Sequence, residues 1–546
     1  MSRSMFANFE SKTKPNNTPI VAVQETDDME KINILWADDE MDLLKPHLLF
    51  LKEKGYNVTT VTNGQDALSE FGKQNFDIVF LDENMPGLSG IETLSRLKNV
   101  NADVPVVMIT KMEEESIMED AIGSKISDYL IKPVNPNQIL LALKKNLDKK
   151  RLISDKATQG YQQEFQKISM NMSDKLTWNE WKDVYRKLVF WELELQKATD
   201  PGMYQILTSQ KDEANNLFVK FIENNYVKWL KQADDTIPVM SNQLMKRKVL
   251  PVVDEAAEPL FMILIDNLRY DQWRIIQPVL SEYFRLQDED LYMGILPTAT
   301  QYARNTIFAG LMPLEIEQRF PDLWLNDEEE GGKNKAEGEF LADLLKRFKK
   351  EYKHSYTKVV NHAEGKSLVD NVHRLMQNKL NVIVYNFVDM LSHARTEMEM
   401  IRELADDEAA YRSLTLSWFE HSPLFEALKI IAELKGRIII TTDHGTIRVK
   451  EPVKIVGDRN VNTNLRYKQG KTLNYDRHEV FEIKNPADAM LPKQHVSQAF
   501  VFARNTDFFA YPNNYNYYVT YYRNTLQHGG ISMEEMIIPF AVMTAK

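Results

Sequence analysis

Two groups of residues in this chain have the types and spacing to do chemistry on phosphate. The first comprises Asp38, Asp39, Asp82, Thr110 and Lys132. Clustered carboxylates hold a hard divalent cation such as magnesium, which offsets charge while a phosphoryl group passes to one of them. A lysine adds a point charge and a threonine a hydroxyl for the incoming phosphoryl oxygens. The second group comprises Asp266, Pro297-Thr298-Ala299-Thr300, Asp389 with His393 four residues on, Asp443-His444-Gly445 and His528-Gly529-Gly530. Aspartate and histidine in this number are the ligands of a zinc or manganese site built without thiols. The sequence contains no cysteine, so disulfides, thiolate ligands and a cysteine nucleophile are all excluded.

Taken singly, these residues have plain alternatives: Asp39 could cap a helix, Lys132 could be a surface lysine, and Asp389 with His393 could be a purely structural pair. The elements around them argue otherwise. Short apolar runs at 32–37, 58–61, 77–81, 104–109 and 128–131 alternate with helical patterns, which predicts a doubly wound (βα)5 parallel sheet over residues 31–148. Asp38, Asp82, Thr110 and Lys132 then fall at the carboxyl ends of four strands, where such sheets bind ligands. Residues 149–250 show no strand-like run and read as a central helical bundle, with a capping box at Thr177-Trp178-Asn179-Glu180 and an apolar stripe of Trp181, Val184, Leu188 and Trp191. That stripe is expected to be core. Strand–helix alternation resumes after Pro251, with buried runs at 260–265, 381–388 and 437–442, so residues 251–546 form a second, larger α/β domain. Within it, 326–338 has the mixed acidic, glycine and lysine composition of a solvated loop. Residues 1–30 are polar and without periodicity, and read as a disordered leader.

The segment 31–148 resembles the receiver domains of bacterial two-component response regulators along its length. The resemblance implies that Asp82 is the phosphoacceptor, that Asp38, Asp39, Asp82 and the Asn84 carbonyl hold magnesium, and that Thr110, Lys132 and the aromatic Tyr129 form the switch. Lys132-Pro133 looks like that family's lysine followed by a cis-proline. Residues 255–546 resemble the alkaline phosphatase superfamily, and Asp266 to Asp271 with Thr300 and Asp443-His444 look most like its PglZ branch. Carried over, Asp389, His393 and His528 match the ligands of one zinc or manganese ion. Asp266, Asp443 and His444 match those of a second, with Thr300 as the nucleophile beside it. Thr298 is the rival nucleophile. Arg304 and Arg269 are the candidates for the arginine clamp of monoesterase members, each with a structural alternative. His478 and His362 have no assigned role.

The order of receiver, helical middle and PglZ-like domain resembles PorX-type response regulators. That implies a sensor histidine kinase, type IX secretion machinery and a sigma factor as partners, and a homodimer promoted by phosphorylation. A threonine nucleophile with no evident clamp points to a metal-dependent phosphodiesterase acting on nucleotide or oligonucleotide substrates. The alternatives are a signalling scaffold or a transcription regulator whose phosphatase-like domain binds metal without turnover. No helix-turn-helix or basic module follows the receiver, and a net charge of −12 argues against broad duplex-DNA binding. No run approaches the roughly 18 apolar residues of a membrane span, so a soluble, cytoplasmic protein is expected.

Overall fold

The computed structural model describes residues 32–101, 104–110, 126–197, 201–232, 237–327, 329, 331–457 and 462–546. The expected leader lies outside the described residues. The chain divides into two compact units, Met1–Leu152 and Ile153–Lys546.

In the first unit, β1 (Asn33–Ala37), β2 (Asn57–Val61), β3 (Ile78–Asp82), β4 (Val106–Thr110) and β5 (Asp128–Ile131) form one sheet in the order β2-β1-β3-β4-β5. Every pairing is parallel. β3 and β4 are buried at every residue and β1 at all but its first, as central strands covered on both faces must be. β2 and β5 mix exposed and half-buried positions, which fits edge strands. All five carboxyl ends lie at one edge, which carries Asp38, Asp82, Thr110 and Lys132.

In the second unit, the helices Trp178–Gln196 and Pro201–Trp229 share one hydrophobic core with the α/β layer, so Trp181, Leu188, Phe218 and Ile222 belong to the same cluster as Ile263, Val384 and Ile439. The Thr177 capping box forms in both directions, and the stripe behind it is core except for a half-buried Trp191. The sheet contains β6 (Leu260–Ile265), β7 (Phe284–Met293), β8 (His354–Val359), β9 (Leu380–Tyr385), β10 (Arg437–Thr441) and the C-terminal strand Ile537–Ala545. β10, β6, β9 and β8 are parallel neighbours. The C-terminal strand runs antiparallel to both β10 and β7. β7 therefore points the same way as the parallel set, and the C-terminal strand begins at their carboxyl edge.

The central helices are also joined by charge to helices of the α/β layer. Arg412, 1% exposed, holds Glu192 of the helix Trp178–Gln196 at 2.8 Å and Asp271 at 3.0 Å, while Lys211 reaches Glu192 at 2.6 Å and Arg269 reaches Asp271 at 2.7 Å. Removing one partner of such a buried network leaves an uncompensated charge. Arg412→Ala is expected to lower stability by about 3–5 kcal/mol, read as a shifted urea midpoint. A loss below roughly 1 kcal/mol, the ordinary value of a surface pair, would show that the network does not act as a buried one.

One sequence expectation fails. Residues 326–338 are not a solvated loop throughout: Asp327 accepts from Tyr467 at 2.9 Å and Asn462 at 3.1 Å, Asn334 donates to the Thr300 carbonyl at 3.2 Å, and Glu337 is fully buried. The composition is polar here because these three side chains bond to neighbouring segments and to the site rather than to water.

Candidate phosphorylation site and metal centre

In the first unit, Asp38, Asp39 and Asp82 each offer a carboxylate oxygen within 4.8 Å of the others. β1 and β3 are adjacent and parallel, so Asp82 at the end of β3 meets Asp38 and Asp39 just past β1 at the edge. Lys132, just past β5, places its Nζ 3.0 Å from Asp82 Oδ1 and 3.2 Å from Asp38 Oδ2. Burial pushes the Asp82 carboxyl up to about 6; Lys132 opposes the shift, and Asp38 and Asp39 add to it. Three crowded carboxylates with one lysine are short of positive charge, which suits a hard cation. Thr110 is buried at the end of β4, Tyr129 on β5 is 42% exposed, and Asn84 is exposed two residues past Asp82. The Lys132–Pro133 bond is cis.

In the second unit the same edge logic assembles a larger site. Asp266 follows β6, and Thr300 opens the helix Thr300–Ala309 after the turn that leaves β7. Asp389 and His393 lie four apart on the helix Phe387–Glu397 after β9, and Asp443-His444 follow β10. His528 comes from the segment leading into the antiparallel C-terminal strand, which starts at this edge. Two ligand-like trios result: Asp389, His393 and His528, and Asp266, Asp443 and His444. His393 and His528 approach Asp389 at 3.5 and 3.8 Å. The His444 and His528 rings stack at 4.3 Å, so the trios adjoin. Thr300 Oγ1 is 3.0 Å from His444 Nε2.

Two of the three imidazoles are oriented by their other nitrogen. His444 Nδ1 faces the Gly445 carbonyl at 3.1 Å and His528 Nδ1 the Thr298 carbonyl at 3.1 Å, which makes both Nδ1 atoms donors and leaves the Nε2 lone pairs toward the carboxylates. Gly445 is obligatory in this turn, because a Cβ there would lie 2.0 Å from the Glu534 carbonyl oxygen. Gly529 has φ +124°, a conformation L side chains rarely adopt.

The donor set fits metal. Asp266 Oδ1 and Asp443 Oδ2 are buried and accept no hydrogen bond among the described residues. Bare buried carboxylate oxygens are costly unless a cation or donor satisfies them. Burial and the neighbouring Asp266 push the Asp443 carboxyl up to about 7, the response of acids crowded without enough positive charge. Burial, with His444 and His393 nearby, holds His528 well below the usual histidine range and therefore neutral, as a ligand must be.

The candidates left open by sequence separate clearly. Thr298 is fully buried, donates to the Gly530 carbonyl at 2.8 Å and accepts from Gly529 N at 3.0 Å, so its hydroxyl is committed to the turn. Arg304 binds Asp266 at 2.6 Å and also Glu337; Arg269 binds Asp271 at 2.7 Å and Glu408 at 2.6 Å. His478 and His362 are exposed. Three contributors escaped sequence reasoning. Asn267, at φ +65°, bonds Asp389 Oδ1 at 3.3 Å through its amide and Asp443 Oδ1 at 3.4 Å through its backbone N–H, tying the trios together. Its only signal was its place directly after Asp266. Glu337 and Asn334 sat unnoticed in the supposed loop.

Comparison with known proteins identifies the domains. Residues 244–543 match the BREX system PglZ alkaline phosphatase-like domain, which is more than half of the chain. The chain belongs to the PglZ alkaline phosphatase-like family. Ahead of its PglZ domain, residues 34–144 match the response regulator receiver domain and 151–230 the PorX response regulator linker domain. Receiver, linker and PglZ domain together make the PorX-type architecture. Among curated proteins, the transcriptional regulatory protein ZraR of Klebsiella oxytoca is 32% identical over 130 residues, covering 24% of this chain and 29% of ZraR. ResD of Bacillus subtilis (strain 168) is 29% identical over 118 residues, covering 22% of this chain and 49% of ResD. The chain thus spans half or less of the length of these relatives. A receiver domain structure from Clostridium thermocellum is 27% identical with a TM-score of 0.22, covering 22% of this chain and 98% of that one. The PglZ match places the C-terminal half among alkaline phosphatase-like domains. No helix among the described residues is long and apolar enough to cross a membrane.

Proposed function

We propose that this chain is a response regulator, phosphorylated on Asp82 by a sensor histidine kinase in type IX secretion signalling, whose PglZ domain is a two-metal phosphodiesterase acting on nucleotide or oligonucleotide substrates. One observation carries the hydrolase: two Asp/His trios adjoin, and a threonine hydroxyl sits 3.0 Å from His444 Nε2. Asp266, Asp443 and His444 would hold one divalent ion and Asp389, His393 and His528 the other, zinc or manganese by donor type. Such a pair supplies positive charge that lowers the pKa of the nucleophile and neutralises phosphoryl oxygens.

The chain's own residues do the rest. Thr300, at the first turn of its helix, attacks phosphorus through Oγ1 with partial positive charge from the helix end behind it. The Oγ1 proton passes to solvent as the Oγ1–P bond forms and the bond to the leaving alcohol breaks, the departing alkoxide takes a proton from solvent, and a water then cleaves the phosphothreonine, which releases the phosphomonoester and restores the Thr300 hydroxyl. Asn267 and Arg304 hold Asp389, Asp443 and Asp266 in place. Because Arg304 and Arg269 are committed to carboxylates, neither serves as a clamp for a dianionic monoester, which favours the diester. In the receiver, Lys132 and Thr110 engage the phosphoryl group on Asp82, with magnesium held by Asp38, Asp39, Asp82 and the Asn84 carbonyl. Tyr129 then turns inward, and the receiver dimerises with a second copy.

Assays of the full-length chain with zinc or manganese, against phosphomonoesters, linear dinucleotides and cyclic dinucleotides, test the activity. Diester turnover is expected to exceed monoester turnover by about tenfold or more, the selectivity an unmade charged contact gives. Strong preference for monoesters would overturn the diesterase, and absence of turnover with any metal would favour a metal-binding scaffold.

A further inference from the structure

Five tyrosines crowd the eight-residue helix Tyr515–Tyr522, and none of its residues is buried. Tyr515, Val519 and Tyr522 lean on a small apolar cluster of Ile447, Val449, Phe508 and Ala510. On the outer side, Tyr517 is 65% and Tyr518 39% exposed. The rings are ordered: Tyr517 and Tyr521 stack at 6.2 Å with 14° between planes, and Tyr518 and Tyr522 at 6.2 Å with 12°. Cations flank them. Arg402 lies 5.7 Å from the Tyr521 ring centre and Lys454 5.0 Å from that of Tyr515, while Arg523 directly follows the helix.

This face is stitched to both metal trios. Asn524, two residues past the helix, accepts from Arg395 Nη1 at 2.6 Å, and Arg395 lies two residues beyond His393 on the same helix. The strand Leu526–Gln527 then pairs with Ile447–Arg448, just downstream of Asp443-His444, and the next residue is His528.

We propose that the outer tyrosines form a stacking platform for the bases of single-stranded nucleic acid, delivering its backbone to the metal centre. Every base has a π-face, so exposed tyrosine rings bind strands with little sequence preference. Arg402, Lys454 and Arg523 supply the charge that a phosphate backbone needs, on a chain that is acidic as a whole. The proposal rests on the diesterase reading, whose substrate it narrows to linear oligonucleotides over small diesters.

Binding separates the platform from catalysis. A short fluorescein-labelled phosphorothioate oligothymidylate and an abasic strand of equal length are titrated against the full-length chain, followed by anisotropy. The base-bearing strand is expected to bind roughly tenfold or more tighter. The Tyr517→Ala/Tyr521→Ala double variant should lose that preference, and Tyr517→Phe/Tyr521→Phe should keep it, because stacking uses the ring and not the hydroxyl. In turnover, the alanine variant should lose kcat/KM on a linear oligonucleotide by a similar factor and retain it on a small non-nucleotide diester. Equal binding of both strands by the unaltered protein overturns the platform and leaves the tyrosine face to a protein partner. Preference that survives the alanine pair also overturns it. A chain that prefers bases yet cleaves no diester retains the platform and loses the diesterase.

Discussion

Thr300→Val is expected to reduce diester hydrolysis on the order of 10³-fold or more while metal content stays near two ions per chain, because the substitution keeps the shape of the side chain and deletes the attacking oxygen. The position favours this outcome. Thr300 is half-buried at a helix start, and its hydroxyl has His444 Nε2 as its neighbour at 3.0 Å. Thr298→Val should behave differently, since that hydroxyl bridges Gly529 N and the Gly530 carbonyl. It is expected to lower stability and slow turnover modestly through the His528 turn. His444→Ala supplies the contrast on the other axis, losing metal by elemental analysis as well as activity. If Thr298→Val is the inactive, metal-replete variant, the nucleophile is the other threonine.

Asp82→Ala is expected to abolish labelling by a small phosphodonor such as acetyl phosphate, and to do so without unfolding the receiver. The acceptor oxygen has no substitute: Asp39 is exposed, and Asp38 already accepts from Glu40 N at 2.9 Å. Stability should be preserved or rise. Burial, with Asp38 and Asp39 adding to it, raises the Asp82 carboxyl to about 6, so near neutral pH the ionised group is held in a place that disfavours it. Lys132 keeps Asp38 at 3.2 Å and Glu40 at 3.5 Å as partners when Asp82 is gone. Sedimentation provides a second readout. Beryllofluoride should drive the unaltered chain toward dimer and leave Asp82→Ala monomeric, and retained labelling in the variant would move the phosphosite elsewhere.

Most of the candidate chemistry was legible in the sequence, for a physical reason. In a parallel sheet, strand ends are functional edges, so an apolar run followed by Asp, Thr or Lys places that side chain without further information. Asp38, Asp82, Thr110 and Lys132 are of this kind, as are Asp266 and Asp443. The central helices were legible too, because Trp181, Val184 and Leu188 repeat at helical spacing behind a capping box.

What the sequence determined by itself is therefore the inventory: two sheets, their edge residues, a thiol-free ligand set and a threonine among them. The resemblance to the PglZ branch grouped the ligands into two sets, and tertiary structure decided which other side chains hold those sets in place. His528 lies between the two-residue strand Leu526–Gln527 and the C-terminal strand, and it sits at the edge because the C-terminal strand runs antiparallel to β10 and begins there. Asn267 joins the trios through a backbone conformation that no residue pattern announces. Glu337 looks like one more acid in a polar stretch until Arg304 is folded against it, which also removes Arg304 from the list of clamps. Strand ends are local properties of a chain; pairings between side chains tens to hundreds of residues apart depend on the order and direction of strands, and only the assembled sheet fixes those.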